Sequence, residues 1–314
     1  MLSTFITILP VFLVIGTGYL LARIGYLNLS IGEALNQFTV RLAVPAVLFN
    51  AMVHLDLGQA YQIKVLAGFY AGAVMAFLLG VFLARSVFGR TPGESVAAGF
   101  CAMFSNTLLL GLPIQERAYG TEALAPVFGI ISLHAPLLYI FGMVAMELAR
   151  AEGRPLGESL VIAGKSALTN TLMIGIMAGL ALNASGLRLP EPVMAAVEMV
   201  ARAGIPAALV GIGISLTRYR ISSALPETLT VSFLSLILHP AVAFLITWGL
   251  FGLPVELVRA AVVTAAMAPG MNVYIFALMY DRSVGLSASS IVIATLLSVF
   301  TVTFWIWLLG EVPY

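Results

Sequence analysis

Two stretches of this apolar chain combine amide and hydroxyl side chains with glycine and proline. The first places Ser105, Asn106 and Thr107 in the middle of AAGFCAMFSNTLLLGLPIQERAYG, which covers 97–120. Amides and hydroxyls exchange hydrogen bonds without the cost of burying a charge. Backbone groups freed by a break in a membrane helix are tolerated only where protein or a watery cavity satisfies them. The stretch therefore indicates either a binding site or a kink without a ligand, because Gly and Pro are frequent in membrane helices.

The second stretch, AAVVTAAMAPGMNVYIFALMYD at 260–281, has the same form, with Pro269, Gly270 and Asn272 between two short apolar segments. Paired interrupted segments in corresponding positions of two halves are the sequence feature that points to the binding site of a carrier. The N-termini of half-helices carry partial positive charge and suit a carboxylate, whereas their C-termini offer carbonyls to a cation. We therefore expect Asn106 and Asn272 either to hold the substrate or only to cap the broken helices.

The predicted site combines these two stretches. Residues expected to contact substrate are Ser105, Asn106, Thr107, Gly270 and Asn272, and those expected to break or cross the helices are Gly111, Pro113 and Pro269.

Ionisable side chains within apolar spans are functional candidates by default. Arg41 and Arg202 either act as counter-ions for the substrate or reach an interface; Arg202 has the further alternative of pairing with Glu198, four residues earlier on the same helical face. Glu116 either carries a coupling proton or is the charge of an interfacial helix end. His134, two residues before a proline, either titrates in proton coupling or is a packed core histidine.

No grouping of residues indicates an enzyme or a resident cofactor. The chain has no His, Cys or carboxylate cluster with metal-ligand spacing, no phosphate-binding glycine loop and no Ser/His/Asp constellation. We therefore predict no catalytic residues, no metal and no cofactor, apart from a coupling ion that is H⁺ or Na⁺.

Composition sets the class of protein. The 314 residues are 61% hydrophobic and 9% charged, with a mean hydropathy of +1.06, whereas soluble domains carry roughly 25% charged residues. The chain is thus predicted to be an all-α integral membrane protein surrounded by lipid. The formal net charge of +1, without long charged runs, argues against a nucleic acid partner.

The hydrophobic runs number ten, each close to the roughly 20 residues that a bilayer requires. They lie at about 3–22, 34–53, 63–85, 95–118, 123–148, 160–183, 193–216, 226–251, 257–280 and 287–310.

The basic residues predict the orientation of these spans. Of the fifteen Lys and Arg residues, nine lie in or beside the connections after odd-numbered spans, four on the other side and two within spans. The positive-inside rule then makes the connections after odd spans cytoplasmic. We expect a multi-pass protein of the cell inner (plasma) membrane with both termini extracellular or periplasmic.

The two halves repeat each other. Arg41 precedes Pro45 by four residues in span 2, and Arg202 precedes Pro206 by four residues in span 7. Spans 4 and 9 are interrupted in the same register. Because each half has an odd number of spans, the second copy must be inserted upside down. The expected organisation is therefore two inverted five-helix repeats, 1–150 and 151–314.

The interrupted stretches also resemble a known family, the auxin efflux carriers, which include plant PIN carriers and bacterial organic-acid permeases. The elements that carry the resemblance are Asn106-Thr107-Leu108, Gly111, Pro113, Tyr119-Gly120, ILPVFLVIGTGYLLARIGYL near the start, Leu42-Ala43-Val44-Pro45-Ala46, and Asn272-Val273-Tyr274 with Ala277 and Tyr280. Plant members commonly have proline where this chain has Ser105, and Pro269 is displaced by one position, so the substrate is not carried over from plants.

The resemblance implies a fold like that of the bile acid sodium symporters. Scaffold spans (about 1–55 and 156–220) would pack beside a transport domain (about 60–150 and 224–314) in which broken helices 4 and 9 cross, and two copies would form a homodimer through the scaffold. The implied function is elevator-type, alternating-access transport of small organic acid anions, such as malate, malonate or auxin-like acids. Alternatives are a sodium-coupled symporter of a bile-acid-like or other carboxylate, and a channel or sensor.

Overall fold

In the computed structural model, the described residues are 1–149, 171–219 and 225–310, and their regular secondary structure is helical. The α-helices are α1 Leu2–Arg23, α2 Leu29–Phe38, α3 Val44–Val53, α4 Leu57–Ala60, α5 Ile63–Ser86, α6 Pro92–Met103, α7 Leu112–Tyr119, α8 Ala125–Ala149, α9 Thr171–Ser185, α10 Glu191–Leu216, α11 Leu225–Phe233, α12 His239–Phe244, α13 Val255–Ala265, α14 Met271–Tyr280 and α15 Val284–Gly310. Shorter π-helical segments at Thr39–Ala43, Thr107–Gly111, Leu234–Leu238 and Leu245–Leu250 and a 3₁₀ turn at Thr121–Leu124 join some of them.

Six helical segments of the described chain are long and apolar enough to cross a membrane. They are Leu2–Arg23, Leu57–Ser86, Thr121–Ala149, Glu191–Leu216, Leu225–Leu250 and Val284–Gly310, and they coincide with predicted spans 1, 3, 5, 7, 8 and 10. The prediction of an all-helical, multi-span membrane protein is therefore confirmed. Predicted span 2 corresponds to α2, a π-helical segment and α3, while the first part of predicted span 6 lies outside the described residues.

Proline explains most of the π-helical segments. The segments that end at Ala43, Gly111 and Leu238 are each followed two residues later by a proline. Proline has no N–H, and its ring clashes with the carbonyl four residues earlier. One wider turn before the proline moves that carbonyl away from the ring and so relieves the clash.

A carbonyl freed in this way is paired by a tryptophan. Leu236 lies four residues before Pro240, so its carbonyl lacks the usual helical donor. The indole Nε1–H of Trp305 in α15 donates to that oxygen at 3.0 Å. Both residues are buried, and the bond satisfies a backbone group that would otherwise destabilise the helix.

The chain divides into two compact units. The smaller unit comprises the described residues of Pro10–Ala60 and Gly164–Arg218. Within it, Asn183 of α9 donates through Nδ2 to the carbonyls of Met52 and Leu55 at 2.8 and 2.9 Å. Asn36 of α2 donates to the Ser215 hydroxyl of α10 at 2.9 Å. Such amide bonds fix the pairing of helices that otherwise present only apolar surface to one another.

The larger unit comprises the described residues of Met1–Leu9, Tyr61–Ala163 and Tyr219–Tyr314. Its centre is formed by the two predicted broken helices, because residues 95–105 and 260–270 are buried without exception. A helix that is apolar on every side belongs in the interior of its unit. The assignment of the two units to a scaffold and a transport domain stays a prediction.

Small residues allow α5 and α6 of this unit to approach closely. A Cβ on Gly80 would lie 2.9 Å from the Cα of Gly99, and a Cβ on Gly99 would lie 2.7 Å from the carbonyl oxygen of Phe77. Glycine pairs of this kind let helix backbones pack where no hydrophobic effect drives association. Together these contacts hold the first half of the interrupted helix in place.

An ion pair joins two helix starts at one end of the larger unit. Arg90 donates through Nε and Nη2 to the Glu227 carboxylate at 3.0 and 2.6 Å. Glu227 lies in the first turn of α11 and is only 2% exposed. Arg90 also lies 3.8 Å from Glu94, which closes a capping box with Thr91 at the start of α6. Both carboxylates lie at helix N-termini, where negative charge is favourable.

We expect Glu227→Gln to destabilise the protein. Breaking a fully buried ion pair costs about 3–5 kcal/mol. Because the Arg90 side chain is 33% exposed, a loss of about 1–3 kcal/mol is expected, measured as a lower apparent Tm in detergent. The matched control is Glu198→Gln, whose Arg202 partner is 82% exposed, so that variant should melt like the wild type. Equal melting of both variants would contradict the prediction.

Candidate functional site

The two interruptions pair with each other inside the larger unit. Backbone N–H of Asn106 donates to the carbonyl of Ala268 at 2.9 Å, and Ser105 and Pro269 form an antiparallel bridge. The interruptions are short, since α6 ends at Met103 and α13 ends at Ala265. Backbone groups that each helix loses at its break are thereby satisfied by the other helix, as buried polar backbone requires.

Ser105 holds the crossing through its side chain and its carbonyl. Its hydroxyl donates to the Ala265 carbonyl at 3.1 Å, at the end of α13. Its own carbonyl accepts from the N–H of Thr107 at 2.9 Å and lies 3.0 Å from Nε2 of His134. The hydroxyl is also 3.4 Å from Nδ1 of His239. Ser105 is 1% exposed, so each of these partners replaces water.

The oxygens of both predicted asparagines are occupied by donors from the protein. Asn106 accepts through Oδ1 from the N–H of Leu109 at 3.3 Å and so caps the π-helical segment that follows. Oδ1 and the carbonyl of Asn272 lie 3.3 and 3.2 Å from the hydroxyl of Tyr139, which donates to them. Within the described part of the chain, neither Nδ2 group has a hydrogen-bond partner. Both half-buried side chains therefore present N–H donors.

Gly270 brings Asn106 to the start of α14. A Cβ on Gly270 would lie 3.0 Å from Cγ and 3.3 Å from Nδ2 of Asn106. Gly270 is the N-cap residue of α14, and no side chain caps that helix. The first N–H groups of a helix lack intrahelical partners and carry partial positive charge. The amide donors of Asn106 thus lie beside a second group of donors, and the arrangement suits an anion.

Tyr139 belongs to this site although the sequence analysis missed it. Its ring lies 5.5 Å from the rings of Phe100 and Phe104 and 6.3 Å from that of Phe276. This aromatic packing holds the hydroxyl against Asn272. A tyrosine in an apolar span carries no spacing signal, and its partner lies 133 positions away in the chain.

Gln115, also missed, joins the second half of one broken helix to the first half of the other. Its Nε2 group donates to the carbonyls of Arg259 and Ala260 at 3.1 and 3.3 Å, and to the hydroxyl of Thr264 at 3.2 Å. The side chain is 1% exposed. An amide placed on α7 therefore fixes the position of α13.

The remaining predicted substrate contact, Thr107, and two predicted helix-breaking residues, Gly111 and Pro113, fall beside the crossing. Thr107 begins the π-helical segment and is buried. Gly111 ends that segment, and a Cβ there would lie 3.2 Å from Cγ of Met267 in the other interruption. Pro113 occupies the first turn of α7, directly after the π-helical segment. Gly111 and Pro113 thus border the paired interruptions, and a contact between Thr107 and substrate stays a prediction.

The ionisable candidates are divided between the units. His134 lies at the crossing, whereas Glu116 of α7 is exposed and has no side-chain bond to the described site residues. Arg41, Arg202 and Glu198 belong to the smaller unit. Arg202 donates to Glu198 at 3.2 Å, which is the pairing alternative, and Arg41 is exposed. No group of His, Cys, Asp or Glu in the described residues could hold a metal ion.

Comparisons with known proteins agree with a transporter. A family model described as "Membrane transport protein" matches residues 3–306. A protein of Rhizobium meliloti (strain 1021) named "Putative malonate transporter" is 29% identical over 317 residues, which cover 98% of this chain and 96% of that protein. An "Uncharacterized transporter" of Methanothermobacter thermautotrophicus is 22% identical over 304 residues, covering 95% of this chain and 96% of that protein.

Proposed function

The chain belongs to the membrane transport protein family, that of the auxin efflux carriers, and we propose that it is a secondary carrier that moves small organic anions by alternating access. The resemblance found in the sequence is thereby confirmed, and the family is one of membrane transport proteins rather than enzymes.

The main observation in support of this proposal is that the paired interruptions offer hydrogen-bond donors to a ligand. Oδ1 of Asn106 and Oδ1 of Asn272 accept protein hydrogen bonds. The Nδ2 amide N–H groups of both side chains have no partner among the described residues, and the start of α14 has no side-chain cap there. Donors of this kind stabilise a carboxylate and offer a cation no ligand. An organic anion is therefore favoured over a metal ion at this position.

Malonate and similar dicarboxylates are the proposed substrates. The relative named for malonate transport aligns over nearly the whole chain. The Asn106 amide lies beside the start of α14, and Asn272 belongs to the first turn of that helix. Several separate donors are thus available for the two carboxylates of a short diacid. Single carboxylates would use fewer of these donors and should bind more weakly.

The proposed movement is of the elevator type. The larger unit holds both broken helices, and we propose that it carries the substrate as one body, while the smaller unit serves as the scaffold of a homodimer. The repeated Arg and Pro register of spans 2 and 7 supports inverted repeats with ten spans. An inner-membrane location with both termini outside follows from the same arrangement and from the distribution of basic residues.

Counterflow of labelled malonate in proteoliposomes tests the proposal. Vesicles loaded with unlabelled malonate should take up labelled malonate faster than vesicles without internal substrate, because a carrier returns more quickly when loaded. A channel would show no such stimulation from the opposite side. Protein-free vesicles provide the background, and succinate and acetate compare substrate classes. Uptake that equals the background for every acid would refute the proposal.

A further inference from the structure

His134 has a buried nitrogen for which the described structure provides no partner. Its Nε2 lies 3.0 Å from the carbonyl of Ser105. A carbonyl only accepts, so Nε2 carries the hydrogen and Nδ1 holds a lone pair. Nδ1 is buried and has no hydrogen-bond partner among the described residues, and the whole residue is 3% exposed. A buried acceptor left unpaired costs about 1–3 kcal/mol, which calls for an explanation.

The surroundings of His134 are aromatic and uncharged. The Phe104 ring lies 4.5 Å from the imidazole and the Phe69 ring 5.6 Å from it. Two titratable groups lie on neighbouring helices. His239 of α12 faces the His134 ring. The Tyr70 hydroxyl of α5 donates to the carbonyl of Ile130, one turn before His134 on α8. No acidic side chain contacts this position within the described residues. A positive charge here would need an anion that the protein does not supply.

His239 is bonded differently. Its Nε2 lies 3.1 Å from the Phe69 carbonyl and its Nδ1 lies 3.4 Å from the Ser105 hydroxyl. Both nitrogens of His239 therefore have a polar atom within 3.4 Å, whereas Nδ1 of His134 has no hydrogen-bond partner among the described residues.

We propose that His134 binds a proton together with the organic anion, which makes the carrier a proton–anion symporter; this inference rests on the proposed function. Nδ1 takes the proton from a hydronium ion on one side of the membrane: an O–H bond of hydronium breaks, an N–H bond forms, and water leaves. The imidazolium keeps its Nε2–H on Ser105. On the other side the proton returns to water from the same nitrogen. The bound carboxylate supplies the opposite charge.

Ser105 lies between the proposed proton site at His134 and the proposed anion site at Asn106. Its carbonyl accepts from His134, and the next residue, Asn106, presents amide donors at the start of α14. A cation on the imidazole and an anion beside Asn106 attract each other strongly where water is excluded, while either charge alone is unfavourable. Each ligand should therefore raise the affinity for the other, because linkage is reciprocal.

Calorimetry of the purified wild-type protein tests proton binding directly. Malonate is titrated in buffers with different ionisation enthalpies, at a pH where both of its carboxylates are ionised. The proposal expects net proton uptake on binding, since the free and bound states hold different numbers of protons. Malonate binding without proton uptake would overturn it, whether or not any variant can be purified.

Malonate transport driven by a pH gradient tests whether His134 is the residue that binds the proton. With the membrane potential clamped, an acidic exterior should drive wild-type vesicles to accumulate malonate. His134→Gln should lose this accumulation, because Gln can donate to Ser105 but cannot take a proton. His54→Gln is the control, since that exposed histidine bonds only to Asn50 in the smaller unit and should behave like the wild type.

The outcomes separate this inference from the proposed function. Absence of wild-type counterflow would refute the carrier itself. Counterflow without gradient-driven accumulation would refute the proton site alone. Loss of accumulation in His239→Gln with retention in a monodisperse His134→Gln would show that the proton binds elsewhere.

Discussion

Replacing Asn106 by Asp is expected to abolish malonate exchange while leaving the protein folded. The substitution keeps an oxygen where Oδ1 accepts from Leu109, removes the amide donors and adds a negative charge. Hydrogen bonds to a charged group contribute about 1.5–3 kcal/mol, so their loss lowers affinity about 10- to 100-fold, and repulsion between two carboxylates adds to it. Asn272→Asp should behave in the same way, because its oxygen still accepts from Tyr139.

The exchange rate at saturating and subsaturating malonate measures this effect. Asn28→Asp is the matched control, since Asn28 caps α2 through its oxygen and lies on the exposed surface. Aspartate caps a helix as well as asparagine does, so this variant should exchange malonate like the wild type. Wild-type exchange by both site variants would show that the anion binds elsewhere. Tighter binding of a cation would show that the site has the opposite polarity.

A methyl group at position 270 is expected to block the site. The backbone of Gly270, at φ −98° and ψ −174°, is one that any residue adopts, so Gly270→Ala tests space and not backbone strain. The new Cβ would lie 3.0 Å from Cγ of Asn106, and the carboxamide would have to move. Overpacking of this kind costs about 1–3 kcal/mol, and exchange should fall about tenfold or more.

Gly249→Ala is the control for this substitution. Gly249 lies in the π-helical segment Leu245–Leu250 of the same unit, and a Cβ there would meet nothing within 4 Å. Its exchange rate should equal that of the wild type. If Gly270→Ala also exchanged malonate at that rate, the contact between Asn106 and the start of α14 would have no part in transport.

The location of the helix breaks was predictable because their causes are local. Proline lacks an N–H wherever it occurs, and short amide side chains compete with the backbone in their own segment. The breaks around Asn106 and Asn272 could therefore be predicted from the residues of each stretch alone. The hydropathy of the long helices is equally local, which is why six of the ten predicted spans match long apolar helices of the described chain.

The partners of these breaks could not be predicted in the same way. Tyr139, Gln115 and Glu227 are ordinary residues of helices or helix ends, and each acquires its role from a residue more than 130 positions away. The sequence also left open whether the asparagines bind substrate or cap backbone. In the structure the Asn106 oxygen accepts from a backbone N–H and the Asn272 oxygen accepts from the Tyr139 hydroxyl. Neither amide nitrogen has a partner among the described residues, and substrate binding by the two side chains stays a prediction.

Composition and segment pattern thus determined that the chain is a membrane protein of helices, two of them interrupted, since transfer into lipid and the breaking of a helix depend on nearby residues alone. Tertiary structure decided which breaks pair and which nitrogen atoms of His134 and of the two asparagines have no hydrogen-bond partner among the described residues. Those properties depend on the directions of hydrogen bonds between distant segments, and such directions exist only after the helices have packed.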